Sequence, residues 1–235
     1  MGWNNFQSGH SERIIKVCGN RDPENIRNVA ALAPMLMGFI FYDKSPRSAI
    51  GLDRDIVRQL PEYIRAVGVF VNESPESVEK ICNEYGITIV QLHGDESADD
   101  CRRLVEKGFT VFKAISMAEK LDFEALKDYE EAGITMFVFD TATKHYGGSG
   151  RKFNWEILKD YPLTTPYLLS GGIGEEDTEA IISNMGPWMA GIDVNSRFEQ
   201  TPGVKDIRKL THFILSLREL NEHEPTGKPF WEKEK

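Results

Sequence analysis

The stretch that decides the fold is AVGVFVNESPESVEKICNEYGITIVQLHGDESADDCRRLVEKGFTVFKAI, residues 66–115. It contains three short apolar runs, at 66–71, 87–92 and 109–115. These runs are continuous rather than alternating, which is typical of strands buried on both faces of a parallel sheet. The segments 75–85 and 97–107 between them have helical periodicity, and Ser74-Pro75-Glu76 is a helix start with a serine cap. The stretch therefore predicts successive strand–helix units with parallel strands.

The same alternation continues outward from about residue 14 to residue 218. The candidate strands are eight apolar runs, at 14–17, 37–41, 66–71, 87–92, 109–115, 134–139, 166–169 and 190–194. A further helical segment is predicted at 123–131, and Asp22-Pro23-Glu24 predicts a capped helix start. Eight such units form either a closed barrel or a doubly wound sheet. The count of eight favours an α/β fold that is a single (β/α)8 TIM barrel, and no GxGxxG or GxxxxGK[ST] sequence follows the first run.

Chain length and composition indicate one domain. We expect a barrel domain at 14–220, an N-terminal arm at 1–13 and a polar C-terminal tail at 221–235. A chain of 235 residues buries a large enough core to fold without disulfides or a structural metal. The exposed faces show no long apolar patch, so we expect a monomer.

Charge and cysteine content limit the classes of partner. The net charge of −9 argues against a nucleic acid or an anionic membrane surface as partner. The three cysteines are irregularly spaced, which predicts a reducing compartment. The first thirteen residues lack the apolar core of a signal peptide, and no run approaches the roughly 20 apolar residues of a membrane helix. We therefore expect a cytoplasmic protein with a small-molecule substrate.

Two reactive side chains follow apolar runs directly, at the strand ends where a (β/α)8 barrel carries its active site. Cys18 is either a buried structural thiol or a reactive one. A helix beginning near Asp22 favours the reactive interpretation, because a helix dipole lowers the pKa of a nearby thiol. Asp140 ends the run ITMFVFD, where a carboxylate is costly to desolvate unless it is paired or catalytic. It is either a general acid or a loop carboxylate that caps the next segment.

Glycine clusters indicate an anion site. They are Gly147-Gly148-Ser149-Gly150 and Gly171-Gly172-Ile173-Gly174, and Asn195-Ser196 follows the last run. Glycines let backbone N–H groups approach an anion closely, and the last loops of such barrels often bind phosphate. The sequence therefore predicts a phosphate site in these loops.

Two further polar residues at strand ends are candidate substrate ligands. Arg47 is either a solvated loop cation or a clamp for a carboxylate or phosphate. His93 is either a structural histidine or a residue that orients substrate or water. No cluster of His, Cys, Asp or Glu has the spacing of metal ligands, so we predict no metal site.

Taken in order, these blocks resemble the phosphoribosylanthranilate isomerases, barrel enzymes of tryptophan biosynthesis. The resemblance spans about residues 15–214 and is carried by KVCGNRDPENI, GFIFYDKSPR, VGVFVNESPESV, VQLHGDES, FDTATKHYGGSGRKFNW, LLSGGI and GIDVNSRFEQTPGVKD. It implies an Amadori rearrangement, an aldose-to-ketose isomerisation of N-(5-phosphoribosyl)anthranilate without metal or cofactor.

The resemblance also implies residue roles. Cys18 would be the general base and Asp140 the general acid. Arg47 would contact the anthranilate carboxylate, and Asp193 would lie at the anthranilate side of the pocket. The phosphate would be surrounded by groups around Gly148, Gly150, Gly171, Gly172 and Ser196.

One position departs from the family pattern. Many relatives read DVSSGVE after the last strand, whereas this chain reads DVNSRFE, with Arg197 in place of the glycine. Arg197 either supplements phosphate binding or points to solvent.

Two other functions are compatible with a phosphosugar barrel. The histidine-pathway isomerase performs the same rearrangement with two aspartates, and Cys18 in the first-strand position disfavours it. A barrel that only binds a phosphorylated metabolite is disfavoured because both proton-transfer residues are present.

Overall fold

The computed structural model describes residues 13–117, 122–141, 154–184 and 186–223. Its strands are β1 (Ile14–Val17), β2 (Leu36–Ile40), β3 (Arg65–Phe70), β4 (Ile89–Leu92), β5 (Thr110–Met117), β6 (Met136–Thr141), β7 (Tyr167–Leu169), β8 (Met189–Val194), β9 (Glu199–Thr201) and β10 (Val204–Lys205). Its α-helices are α1 (Pro23–Ala30), α2 (Arg54–Arg58), α3 (Pro75–Tyr85), α4 (Ala98–Glu106), α5 (Lys127–Glu131), α6 (Thr178–Ser183) and α7 (Ile207–His223).

Strands β1 to β8 form a closed parallel barrel, which confirms the predicted fold class. Each strand pairs with the next along the chain, and β8 pairs with β1 to close the ring, with Ile14 opposite Gly191 and Val17 opposite Val194. Strands β9 and β10 form a separate antiparallel pair after the barrel. The parallel order brings all eight carboxyl ends to one face, where the predicted site residues meet.

Two apolar clusters make up the core. The larger one lies between strands and helices and includes Val29, Val78 and Leu104. The smaller one includes Cys18, Val69, Ile89 and other alternate strand residues. Because side chains alternate across a strand, this smaller cluster fills the barrel interior, and Cys18 belongs to it.

Both predicted helix caps are confirmed. The Asp22 side chain accepts a hydrogen bond from the backbone N–H of Asn25, 2.8 Å away, and Pro23 begins α1. The Ser74 side chain accepts from the backbone N–H of Ser77 before α3. These caps satisfy N–H groups that have no partner within the first turn of a helix.

Two predicted boundaries differ from the structure. The segment predicted as one helix at 123–131 is a 3₁₀ turn, Glu124–Leu126, followed by α5. Asp122 accepts hydrogen bonds from two successive backbone N–H groups there, which accompanies this tighter first turn. Helix α7 continues to His223, three residues into the predicted tail, and no glycine or proline lies between Ile207 and Pro225 to end it earlier. None of the helices in the described ranges has the length and apolar character to span a membrane.

Candidate active site

An open pocket lies at the carboxyl ends of the barrel strands, and its volume, with the open solvent at its entrance included, is about 700 Å³. Every predicted site residue that the structure describes lines it: Cys18, Arg47, His93, Asp140, Gly171, Gly172, Asp193, Asn195 and Ser196. Gly148 and Gly150 lie outside the described residues. The barrel therefore brings together side chains that are up to 178 positions apart, from Cys18 to Ser196.

Cys18 lies at the floor of this pocket beside a buried ion pair. The ammonium of Lys16, on β1, lies 2.7 Å from Asp193 Oδ2 on β8, and both side chains are buried. The positive charge of Lys16 also acts on Cys18, which is two residues further along and on the same face of the chain. The second carboxylate oxygen of Asp193 has no hydrogen-bond partner among the described residues. An acceptor is therefore available at the pocket floor for a donor on a ligand.

The predicted lowering of the pKa of Cys18 by a helix dipole is wrong. Burial raises the pKa of the Cys18 thiol above its ordinary value, and the charge of Lys16 offsets only part of this effect. The N–H group of Asn25 at the start of α1 is satisfied by Asp22, not by the thiol. Burial also raises the pKa of Asp193, although Lys16 opposes it.

Asp140 projects from β6 and has a polar neighbour at each carboxylate oxygen. Its Oδ1 accepts from the backbone N–H of Thr141 at 2.8 Å, and its Oδ2 lies 3.2 Å from His93 Nε2. The other ring nitrogen of His93 lies 2.8 Å from Gln91 Nε2. His93 is thus a partner of Asp140, which fixes the position of the carboxyl group in the pocket wall.

Arg47 reaches the pocket from the loop after β2 but is already paired. Its Nε and Nη2 donate to the two carboxylate oxygens of Glu199, at 2.7 to 2.9 Å. Lys205 also lies 2.9 Å from Glu199, and the two cations hold the pKa of Glu199 below its usual value against the effect of burial. Arg47 Nη1 makes no hydrogen bond within the described part of the chain, so one edge of the guanidinium is open to a ligand.

Backbone amides supply the candidate anion site. Gly171 and Gly172 both adopt positive φ, 86° and 70°, after β7. A Cβ on Gly171 would lie 2.3 Å from Thr141 Oγ1 and 2.9 Å from Asp140 Oδ1, so only glycine fits against these two side chains. Neither glycine N–H donates to another group among the described residues. Two consecutive N–H groups therefore remain for an anion.

After β8, Asn195 and Arg197 are engaged with protein groups. Asn195 Oδ1 accepts a hydrogen bond from Lys205 Nζ at 2.6 Å, so the orientation of this side-chain amide is fixed by the protein. Arg197 lines the pocket and pairs with Glu176 at 2.5 Å, both half exposed. The prediction that Asn195 contacts phosphate is untested, and its side-chain oxygen already has a partner.

Comparison with known proteins identifies the family. A family model described as N-(5'-phosphoribosyl)anthranilate (PRA) isomerase matches residues 15–216. The chain belongs to the phosphoribosylanthranilate isomerase family. The resemblance seen in the sequence is confirmed, and so is the predicted enzyme class, an isomerase of the aldose–ketose type.

Relatives and solved structures agree with this family assignment. The phosphoribosylanthranilate isomerase of Parabacteroides distasonis is 47% identical over 206 residues, 87% of this chain and 93% of the relative. A crystal structure of the Thermus thermophilus enzyme superposes with a TM-score of 0.77 at 26% identity, covering 88% of this chain and 99% of that one. Another solved family member, at 27% identity and a TM-score of 0.71, covers 88% and 100% and is a complex with reduced 1-(o-carboxyphenylamino)-1-deoxyribulose 5-phosphate.

Several polar residues of this isomerase site were missed in the sequence. Lys16 and Gln91 lie within apolar runs, and both are fully buried. Glu199 and Lys205 lie after the last barrel strand and hold Arg47 and Asn195. A charged or amide side chain inside a doubly buried strand needs a partner, and that requirement was the available signal. Nowhere in the described ranges do three or more His, Cys, Asp or Glu side chains gather as metal ligands.

Proposed function

We propose that this chain catalyses the Amadori rearrangement of N-(5-phosphoribosyl)anthranilate to 1-(2-carboxyphenylamino)-1-deoxyribulose 5-phosphate, a step of tryptophan biosynthesis. The observation that carries the proposal is the pocket in which Cys18 and Asp140 face one cavity from β1 and β6. A thiol and a carboxyl group in one pocket supply the base and the acid that an aldose-to-ketose shift requires.

The proton steps follow from these two groups. Asp140, protonated, donates to the furanose ring oxygen, and the C1′–O bond breaks as the nitrogen lone pair forms a Schiff base. Cys18, as thiolate, then removes the C2′ proton to give an enolamine, which tautomerises to the ketone. Lys16 is placed to favour the thiolate, since its positive charge lowers the pKa of the Cys18 thiol against the opposing effect of burial.

The remaining pocket residues bind the two anionic ends of the substrate. The open edge of Arg47 pairs with the anthranilate carboxylate. The unpartnered oxygen of Asp193 accepts a hydrogen bond on the anthranilate side. The N–H groups of Gly171 and Gly172 bind the phosphate, together with Ser196, Asn195, Gly148 and Gly150. His93 acts on Asp140 rather than on substrate.

Two variants test the proposal. We expect Cys18→Ala and Asp140→Asn each to lower kcat by about 10²- to 10⁴-fold, the usual contribution of one positioned acid or base, with KM little changed. Substrate consumption by the purified chain measures both constants. Tyr63→Ser, at a surface position that is 61% exposed, is the control and should behave as wild type.

Three outcomes would contradict this function. A near-normal kcat in Cys18→Ala or Asp140→Asn would contradict the role proposed for the residue that was replaced. If the folded wild-type chain fails to rescue a tryptophan auxotroph that lacks the isomerase, the chain does not have the proposed activity. Comparable turnover of the histidine-pathway substrate would favour the alternative isomerase.

A further inference from the structure

Gln91 lies inside the barrel, and the proposed chemistry gives it no role. Its side chain is fully buried on β4, two residues before His93, so the two side chains point to the same face. Gln91 Nε2 lies 2.8 Å from His93 Nδ1, and His93 Nε2 lies 3.2 Å from Asp140 Oδ2. A buried amide thus reaches the proposed general acid through a single imidazole ring.

The amide nitrogen determines which ring nitrogen of His93 carries the proton. An amide NH₂ group only donates, so Nδ1 opposite it has to accept and carries no proton. The neutral ring then has its proton on Nε2, and this N–H donates to Asp140 Oδ2.

We propose that Gln91 is a positioning residue that holds His93 as the neutral Nε2–H tautomer, so that His93 stabilises Asp140 while Asp140 gives up its proton. This inference rests on the proposed role of Asp140 as general acid. When its O–H bond breaks, the proton goes to the sugar ring oxygen and the electron pair stays on the carboxylate.

The hydrogen bonds to Asp140 strengthen during this step. In the acid form they end on a neutral carboxyl group, and in the carboxylate form the bonds from His93 Nε2 and Thr141 N become charge-assisted. Because they are strongest where negative charge develops, they lower the barrier to proton donation. The opposite tautomer would point the Nε2 lone pair at the forming carboxylate and would oppose the same step.

Other charged and titratable groups face the His93–Asp140 pair. On the pocket side these are Cys18, Arg47 and Asp193, with Lys16 behind Asp193, and on the other side they are Asp95, Lys113 and Tyr129. They act on Asp140 whichever tautomer His93 adopts. A direct measurement of the tautomer therefore separates the effect of Gln91 from theirs.

The test is ¹⁵N NMR of the full chain labelled at histidine, without substrate. In the wild type, Nδ1 of His93 should be unprotonated and Nε2 protonated at neutral pH. In Gln91→Glu the new carboxylate accepts, so Nδ1 should become protonated, and in Gln91→Leu the preference should be lost. A wild-type ring protonated at Nδ1, or the wild-type tautomer retained in both variants, would overturn the proposal.

Kinetics give the second measurement. We expect Gln91→Leu to lower kcat about 10- to 100-fold, the value of one charge-assisted hydrogen bond in the transition state, with KM near wild type. The basic limb of the pH profile, where the acid loses its proton, should move to higher pH because the carboxylate is less stabilised.

A matched control comes from the same strand. Ile89→Val, two residues earlier in the barrel interior, should leave the tautomer, kcat and the pH profile unchanged. Gln91→Leu could lose thermal stability while the His93 tautomer and the basic limb of the pH profile stay as in the wild type. That result would show a purely structural role for Gln91 and would contradict the proposal. If the wild type lacks isomerase activity, the proposed function fails, while the NMR result still decides whether Gln91 sets the tautomer.

Discussion

At the scale of single residues, Lys16 is the charged group that most affects Cys18. Burial works against its ammonium, but the charges on Asp193 and Cys18 outweigh this effect and raise the pKa of Lys16. A lysine that stays charged beside a buried thiol favours the thiolate. The chain therefore compensates for placing its proposed base inside an apolar barrel by placing an ammonium on the same strand.

Replacing Lys16 with methionine should raise the pKa of Cys18 further. We expect the acidic limb of the kcat/KM profile to move to higher pH in Lys16→Met, with activity at pH 7 falling about tenfold for each pH unit of the shift. The pH dependence of alkylation at Cys18 gives the same information directly. Cys82 and Cys101 stay unreactive in that assay, since burial raises their pKa to about 12.

The control for this prediction is a second buried lysine. Lys113 is paired with Glu96 at 3.1 Å and is as buried as Lys16, but its hydrogen bonds go to the β4–β5 region. Lys113→Met should lose a comparable amount of stability, but the acidic limb of its kcat/KM profile should stay at the wild-type pH. If the acidic limb of the kcat/KM profile does not move in Lys16→Met, formation of the Cys18 thiolate does not depend on the Lys16 ammonium.

The sequence shows the ends of strands better than their interiors at this scale. Cys18 and Asp140 were predictable because each directly follows an apolar run, where a barrel carries its chemistry. Lys16 was not, because its partner Asp193 is 177 residues away and local patterns carry no information on such pairs. The raised pKa of Cys18 was missed for the same reason, since burial depends on the closed barrel.

At the scale of elements, the β9–β10 hairpin holds the loop after β2 in place. Glu199, the first residue of β9, receives Arg47 from that loop and Lys205 from β10. The Glu199 side chain is only 4% exposed, and two largely desolvated cations share its one carboxylate. Removal of this carboxylate should therefore loosen both the hairpin and the Arg47 loop.

Glu199→Gln should destabilise the chain by about 3–5 kcal/mol at pH 7, since it leaves buried cations without an anion. The pKa of Glu199 is lowered from 4.5 in the folded chain, so its stabilising effect is complete above pH 4.5. That effect is lost as the pH falls through the folded-state value. The stability difference between wild type and variant, measured by urea unfolding, should therefore shrink toward acidic pH.

Glu76→Gln is the matched control for Glu199→Gln. Glu76 pairs with Arg103 between α3 and α4, and both side chains are exposed. Solvent screens such pairs, so this variant should lose less than about 1 kcal/mol. Two results would contradict the stabilising role of Glu199 with Arg47 and Lys205. One is an equal loss of unfolding free energy in the two variants, and the other is a stability difference between wild type and Glu199→Gln that persists at low pH.

Element positions were more predictable than element boundaries. Helix α3 has the bounds 75–85 that the periodicity and the Ser74-Pro75 cap indicate, because both signals are local. The 123–131 segment lacks a side-chain cap of that kind, and its first turn tightens to 3₁₀ geometry. The β9–β10 hairpin was missed because two- and three-residue strands are too short to show a period.

At the scale of the whole molecule, the ring of strands closes through a close backbone approach at Gly191. A Cβ at this position would lie 2.0 Å from the carbonyl oxygen of Ile14 and 2.7 Å from its carbonyl carbon. Both contacts are with backbone, which cannot rotate away as a side chain can. The pairing of β8 with β1 therefore requires glycine at 191, and that pairing brings Asp193 to Lys16.

Gly191→Ala should prevent closure of the barrel and destabilise the chain by more than about 3 kcal/mol, beyond the usual cost of overpacking. The rate of amide hydrogen exchange should increase most in β1 and β8, and the near-UV circular dichroism signal should weaken. Gly186→Ala is the control, because among the described residues its Cβ would meet only Tyr167 Oη, at an ordinary 3.7 Å. A Gly191→Ala chain that melts and exchanges like Gly186→Ala would mean that β1 and β8 can separate without loss of the fold. The Lys16–Asp193 pair and the position of Cys18 would then depend on local packing rather than on closure of the ring.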